Sequence, residues 1–312
     1  MSNSHWILGD WGTTALRLHL VRHDGKVIEQ MQGPGVSKMQ LDAEQTFFKL
    51  CQPWIEQYAV NRVVLSGMVG SALGWALIKH VACPVSVQEI IAHTQTFECR
   101  KQVITLVPGL SCKNALGYHD VMRGEEVQLL GAMLADPGLK VGQQLICLPG
   151  THSKWVHVLN GEIIDFISIP TGELFELIRS NSTLVPHDVD ADSTVNPAFL
   201  HAVQSTKQHP MLVQLFQVRS RALNGELSPS QQVECLSGLL IGEEIKSVLH
   251  VYGQQMVASP SITIIASNHL AKRYQAAFES LGYSARLLDG DVQSLSGLAF
   301  IAKQLEASAV PV

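Results

Sequence analysis

Twice along the chain an apolar strand runs into a glycine-threonine turn, returns as an alternating strand and closes on a two-residue hairpin signal. The first copy spans Trp6 to Val21 and closes on Asp24-Gly25; the second spans Leu145 to Leu159 and closes on Asn160-Gly161. In the returning strands apolar residues alternate with Arg17 and His19, or with His157, which is the period of a strand buried on one face. Asp-Gly and Asn-Gly are the strongest short hairpin signals. Two related hairpins in two halves of one chain predict two similar domains.

Each turn also has a chemistry. A glycine followed by hydroxyl residues frees backbone N–H groups and side-chain donors to face an anion, because no Cβ blocks close approach. Gly12-Thr13-Thr14 and Gly150-Thr151-His152-Ser153 both have this form. A lone turn of this kind is ordinarily only a turn. Two at matching places in a repeated pattern point to phosphate, and Asp10, at the end of the first strand, is well placed to hold a hydrated divalent cation beside it.

The rest of the composition narrows the partners. With 312 residues and 46% hydrophobic residues, the chain can fill two cores. A formal charge of −5 without a run of Lys and Arg argues against nucleic acid or an anionic membrane surface as a partner. Cys51, Cys83, Cys99, Cys112, Cys147 and Cys235 have no metal-ligand spacing, so they read as reduced thiols in a cytoplasmic protein. The 13 histidines show no metal spacing either. The start of the chain lacks a basic n-region and Asp10 interrupts its apolar stretch, which argues against a signal sequence. No uncharged run approaches the roughly 20 residues that span a bilayer, so a soluble protein is expected.

Further along, Val27 to Met31 reads as a third strand, Gln45 to Tyr58 as an amphipathic helix containing Pro53, and Arg62 to Leu65 as a buried strand. That strand empties into Ser66 to Trp75, where three glycines argue for close backbone approach to a ligand or for a structural loop. Gln102 to Val107 reads as a strand, and Asp120 onward as the opening of a helix with acids in its first turn. Leu139 to Gly142 has the character of a hinge, with Asp136-Pro137-Gly138 as an alternative helix stop. Thr171 reads as a helix cap, and residues 186–196 as a polar surface loop. Helical patterns dominate from Val203 to Val251, with Ser228-Pro229-Ser230 as a helix start. The apolar residues of these helices suit either a core or a homodimer face. Strand, helix, strand and helix follow over 261–305, giving an α/β fold overall.

At this point several segments, taken in order, resemble the 2-dehydro-3-deoxygalactonokinase family. They are Asp10 to Thr14, Gly67 to Ser71 with Gly74-Trp75, Val121 to Glu126, Pro149 to Trp155, Thr171 to Phe175, and Leu236 to Gly242. The resemblance implies the architecture shared by sugar kinases, heat-shock protein 70 and actin: two ribonuclease H-like domains, each with a mixed five-stranded sheet flanked by helices, closing on ATP. Residues 1–138 would form the sugar-binding domain with the first phosphate loop, and 139–312 the nucleotide-binding domain with a helical insertion. The implied activity is phosphorylation of 2-dehydro-3-deoxy-D-galactonate at its 6-hydroxyl in D-galactonate catabolism, the De Ley-Doudoroff route.

Phosphoryl transfer needs in-line positioning, charge neutralisation on the γ-phosphate and a group to take the proton of the attacking hydroxyl. Asp10 is expected at Mg2+. Gly12, Thr13, Thr14, Gly150, Thr151, His152 and Ser153 would face phosphate, with Lys154 or Arg17 adding positive charge. Ser267 and Asn268 would lie near adenosine, although Ala266-Ser267-Asn268-His269 departs from a Gly-rich pattern. Glu125 is the first choice of base, resembling a glutamate that faces the phosphate cleft in related exopolyphosphatases, and Asp120 the second; a helix-dipole acid is the competing account of Glu125. Arg123 with Ser66, Gly67, Met68, Gly70 and Ser71 would hold the acidic substrate, and Trp75 would either line it or pack in the core. Three other readings fit the same features: a kinase for a different deoxy-keto sugar acid, a phosphatase-like relative, and an ATP-driven binding module of the actin or heat-shock type.

Overall fold

The alternating repeats become two strand meanders. The computed structural model describes residues 4–189, 195–254 and 261–309. β1 (Ser4–Trp11), β2 (Ala15–Arg22) and β3 (Val27–Pro34) pair antiparallel in sequence. Leu16, Leu18 and Leu20 of β2 are buried, whereas Arg17 and His19 are half-exposed on its other face. Gly25 adopts φ 90° at the first hairpin, and its N–H donates to the Arg22 carbonyl at 2.8 Å.

α1 (Ala43–Gln57) starts on Asp42, whose side chain accepts from the Gln45 N–H, and leads into β4 (Ala59–Gly67), parallel to β1. There follow β5 (Val81–Ala82), α2 (Val87–Ala92), β6 (Gln95–Cys99), β7 (Gln102–Leu106), β8 (Leu110–Lys113), β9 (His119–Met122) and α3 (Glu125–Ala135). The second half repeats the opening with β10 (Gln143–Leu148), β11 (Ser153–Leu159) and β12 (Glu162–Ile169). It continues with α4 (Thr171–Asn181), α5 (Pro197–Ser205), α6 (Met211–Leu223), α7 (Pro229–Gly253), β13 (Ser261–Ala266), α8 (Asn268–Leu281), β14 (Ala285–Asp289) and α9 (Gly290–Ala309).

The first sheet has the order β3-β2-β1-β4-β7-β6 and the second β12-β11-β10-β13-β14, so the second matches the first up to its last strand. This is the ribonuclease H-like order, with β6 as a sixth strand where five were expected. A small third sheet, β5-β8-β9, lies beside β12 through a bridge between Val85 and Ile163.

Packing is layered. α1 covers one face of the first sheet with Phe47, Phe48, Cys51 and Trp54. α3 and α9 share a core with both sheets through Leu8, Leu130, Ile146, Val156, Leu298 and Ile301. α7 and α8 cover the far face of the second sheet around Trp155, Ile245, Ile264 and Phe278. α3 and α9 approach so closely that a Cβ at Gly131 would lie 1.9 Å from the Gln293 carbonyl oxygen, and one at Gly297 2.2 Å from that of Val127. The C-terminal helix therefore belongs in space to both halves.

Several local expectations change. Asp120 lies in β9, and the helix begins only at Glu125, because the positive φ of Gly124 turns the chain between them. Thr171 is the first helical residue and not the cap, which is Pro170. Of the polar stretch 186–196, residues 190–194 lie outside the described residues, and the remainder is irregular. α7 is mainly core, whereas α6 exposes Leu212, Phe216 and Leu223. The cysteines are free, four of them buried and Cys83 and Cys99 half-buried. Among the described residues no helix is long and apolar enough to cross a membrane.

Candidate active site

β1 and β10 end at one cleft of about 580 Å3, where both glycine-threonine turns meet. In the first turn the Gly12 N–H donates to the Ala15 carbonyl at 2.9 Å. The Gly12 and Thr13 carbonyls accept from the N–H groups of Val36 and Ser37 at 3.1 and 3.0 Å. A Cβ at Gly35 would sit 2.3 Å from the Thr14 carbonyl carbon, so the supporting strand exit presses directly on the turn. With those carbonyls engaged, Thr13 and Thr14 remain exposed at the cleft.

The second turn leans on the start of α4. A Cβ at Gly172 would lie 2.4 Å from the Gly150 oxygen, and the Glu173 N–H donates to the Thr151 carbonyl at 2.9 Å. The His152 ring pairs with Glu173 at 2.9 Å on the exposed rim. Ser153 is buried and bonds the Tyr274 hydroxyl at 3.1 Å instead of facing the cleft. Lys154, 5% exposed, directs Nζ to the His152 carbonyl at 3.3 Å and lies 3.7 Å from Glu125 Oε1 in the opposite half.

Glu125 reaches the cleft because two glycines with positive φ, Gly67 at 88° and Gly124 at 108°, cross beside Asp10. A Cβ at Gly124 would come within 3.4 Å of the Gly67 Cα, and one at Gly67 within 2.6 Å of the Trp11 oxygen. Glu125 Oε2 accepts from the Arg123 N–H at 3.0 Å, and Glu126 Oε2 from the Gly124 N–H at 2.7 Å. Burial pushes the Asp10 carboxyl up to about 6, with Glu125 and Asp291 adding to the rise and Arg17 opposing it. Burial likewise raises Glu126 to about 8.

Arg123 forms the other wall. Its Nη2 donates to the Ile78 carbonyl at 2.7 Å and lies 3.2 Å from His80 Nε2, while the buried Nη1 has no hydrogen-bond partner. Gly70 makes room for it, since a Cβ there would be 2.8 Å from Nη1. Burial lowers the pKa of Arg123 and of His80. Met68 and Ser71 line the same side.

Other predicted residues lie elsewhere. Asp120 does not line the cleft; its carboxylate accepts from the Ser168 N–H at 2.7 Å and the Ser168 hydroxyl at 2.6 Å, which joins β9 to β12. Arg17 sits on the far side of Asp10, 3.7 Å from it and 3.5 Å from Asp291. Ser66 is buried opposite Asp10 in the β1–β4 register. Trp75 packs among Phe47, Phe48 and Phe97. Ser267 and Asn268 start α8, but the side chains lining the adjoining apolar slot are His269, Leu270, Arg273 and Tyr274.

That slot, about 110 Å3, shares Pro149 and Gly150 with the cleft and is completed by Gly172, Phe175, Leu240 and Ile241. The local sequence does not mark it as a slot, although three of the segments carrying the family resemblance contribute to it. His80 and Leu77 were also missed; nothing in their local sequence marks them, and they enter the cleft through the irregular chain after β4. Among the described residues no three His, Cys, Asp or Glu side chains cluster to hold a metal. A cation here would have to share Asp10 with ligand oxygens and water, as Mg2+ beside phosphates commonly does.

The family model described as 2-keto-3-deoxy-galactonokinase matches residues 10–301. The 2-dehydro-3-deoxygalactonokinase of Escherichia coli strain K12 is 33% identical over 305 residues, covering 96% of this chain and 98% of the relative. A Rhizobium meliloti strain 1021 protein described as "Probable 2-dehydro-3-deoxygalactonokinase DgoK1" is 32% identical over 302 residues, covering 95% and 96%. A crystal structure described as that of "a putative 2-dehydro-3-deoxygalactonokinase protein from Sinorhizobium meliloti" superposes with a TM-score of 0.86 at 29% identity, covering 96% of this chain and 99% of that one. The activator of 2-hydroxyisocaproyl-CoA dehydratase from Clostridium difficile, crystallised with ADPNP, superposes at 0.51 with 10% identity over 99% of both chains, a likeness of fold alone. The duplicated sheet order is thus that of an actin-like ATPase and sugar-kinase fold, and the chain belongs to the 2-keto-3-deoxy-galactonokinase family.

Proposed function

We propose that this protein transfers the γ-phosphate of ATP to the 6-hydroxyl of 2-dehydro-3-deoxy-D-galactonate, the kinase step of D-galactonate catabolism. The observation that carries the reading is the meeting of both glycine-threonine turns at one cleft, with Lys154 and Glu125 facing each other across it at 3.7 Å. Relatives covering nearly the whole chain are named for this substrate.

In this reading the apolar slot takes adenosine, and the triphosphate runs over Gly150 and Thr151 toward the first turn. Backbone N–H groups and threonine hydroxyls donate to phosphate oxygens, and Lys154 neutralises charge that builds on the γ-phosphate. Asp10, at the end of β1, would hold Mg2+, which when bound would offset the negative charge of the phosphates. The sugar acid lies against Met68, Ser71 and His80, its carboxylate toward Arg123, whose half-buried guanidinium makes an acidic substrate the natural partner. Glu125 takes the proton of the 6-hydroxyl as its oxygen bonds to the γ-phosphorus and the bond to ADP breaks. Lys154 leaves Glu125 for the γ-phosphate when ATP enters, freeing the carboxylate for the hydroxyl.

A coupled ADP-release assay with Mg-ATP tests this, comparing the galactonate compound, its gluconate epimer and no sugar. Release only with the galactonate compound is expected. Equal release with the epimer would overturn the substrate, and sugar-independent release would indicate a hydrolase or a binding module.

A further inference from the structure

Glu244, in the middle of α7, is a carboxylate sealed in the second core, 3% exposed. Its partners are neutral donors. Oε1 accepts from the Trp155 indole N–H at 2.7 Å and Oε2 from the Tyr274 hydroxyl at 2.7 Å. Burial raises the pKa of Glu244, and the nearby hydroxyls of Thr171 and Ser153 act with the Tyr274 hydroxyl and the Trp155 N–H against that rise; Ser153 Oγ is 3.1 Å from the Tyr274 hydroxyl. A buried carboxylate is costly, and a purely apolar contact would hold these elements together as well.

These donors sit around one feature. Ser153 and Trp155 open β11 directly after the turn at 149–152; Thr171 is the first residue of α4, whose Gly172 presses on Gly150 and Thr151; Tyr274 walls the apolar slot from α8. Both oxygens of Glu244 act as acceptors, one for the Trp155 N–H and one for the Tyr274 O–H, and so fix the direction of those donors. β11 and α8 are thereby tied to one point on α7, with the start of α4 beside it.

We propose that Glu244 is a positioning residue that holds the second phosphate turn and the neighbouring slot in nucleotide-binding geometry. This rests on the placement of the ATP phosphates at that turn. Glu244 touches no substrate, and it lies apart from the Arg123 and His80 wall, so its effect should be confined to the nucleotide. A residue serving stability alone would show no such division.

The test is Glu244→Gln in the full-length enzyme, which keeps the shape and one acceptor oxygen. ADP affinity by calorimetry and the KM for ATP should both worsen about tenfold, with a lower kcat, because small misplacement of a binding group is enough for losses of that size. The KM for the sugar acid should stay within about twofold. Thr171→Val should weaken ADP in the same direction, and Thr171→Ser, which keeps the hydroxyl, should restore it. If Glu244→Gln does not fold, the Thr171 pair decides alone. Unchanged ADP affinity in the folded variants, or equal losses for both substrates, would overturn the positioning role. Lys154→Met separates the two readings: if it leaves the KM for ATP unchanged, the placement of the phosphates is wrong, and if it raises that KM while Glu244→Gln and Thr171→Val do not, only the role of Glu244 fails.

Discussion

Glu125 and Asp120 are carboxylates only five residues apart, yet their surroundings differ. Glu125 faces Lys154 across the cleft, whereas both oxygens of Asp120 are engaged by Ser168. Glu125→Gln should lower kcat by about 10²- to 10⁴-fold with little change in either KM, as expected for loss of a general base. Asp120→Asn should leave kcat within about threefold and cost roughly 1–3 kcal/mol of stability, read from urea unfolding, because it disturbs charge-assisted hydrogen bonds. The reverse pattern would exchange the two roles. Glu126 carries a pH signature. Its folded value of about 8 lies above the ordinary 4.5, so the folded chain keeps a proton that the unfolded chain releases. Its contribution is full below pH 4.5 and lost as pH rises through about 8. Wild type should lose stability between about pH 5.5 and 8.5, and Glu126→Gln should lose less by an amount on the order of a few kcal/mol. Equal losses in the two proteins would refute this.

At the scale of elements, the crossing of α3 and α9 is the most sensitive contact. Gly131 and Gly297 each face backbone of the opposing helix, at 1.9 and 2.2 Å for an added Cβ. Backbone cannot rotate away as a side chain can, so Gly131→Ala or Gly297→Ala should separate the helices and cost roughly 1–3 kcal/mol or more in thermal and urea melts. Because α3 carries Glu125 at its start, the same variants should also reduce kcat. The crossing was not legible in advance: a glycine inside a helical pattern reads as a weak point, and only its neighbour shows it to be a contact surface. Glycine at 67 was easier to read, since it falls where a strand ends, whereas that at 124 lies in a stretch whose sequence reads as a helix opening at Asp120.

Across the whole molecule, α9 bridges the two sheets, and its far end is tied to the first. Glu306 accepts from the Trp6 indole at 3.0 Å and the Asn61 amide at 2.8 Å, and its Oε2 lies 2.6 Å from His23 Nε2. Glu306→Ala should remove about 1–3 kcal/mol of stability, with faster amide exchange at the C-terminal turns of α9 while β10 and β13 stay protected. Uniform protection loss across both sheets would instead mean that α9 is inseparable from the global fold.

The strand repeats, the hairpins, the helix start at Ser228 and the two glycine-threonine turns were all legible in the amino-acid sequence, because a period of two and turn chemistry act over a few neighbouring residues. Family resemblance added the choice of Glu125. Short-range pattern could not read β5, β8 and β9, whose pairing partners lie far along the chain. Nor could it divide Glu125 from Asp120, find the slot between α4, α7 and α8, or single out Glu244 within a helix of ordinary pattern. Those depend on which distant elements pack together, and that is decided only when the layers close and each polar side chain meets, or fails to meet, a partner.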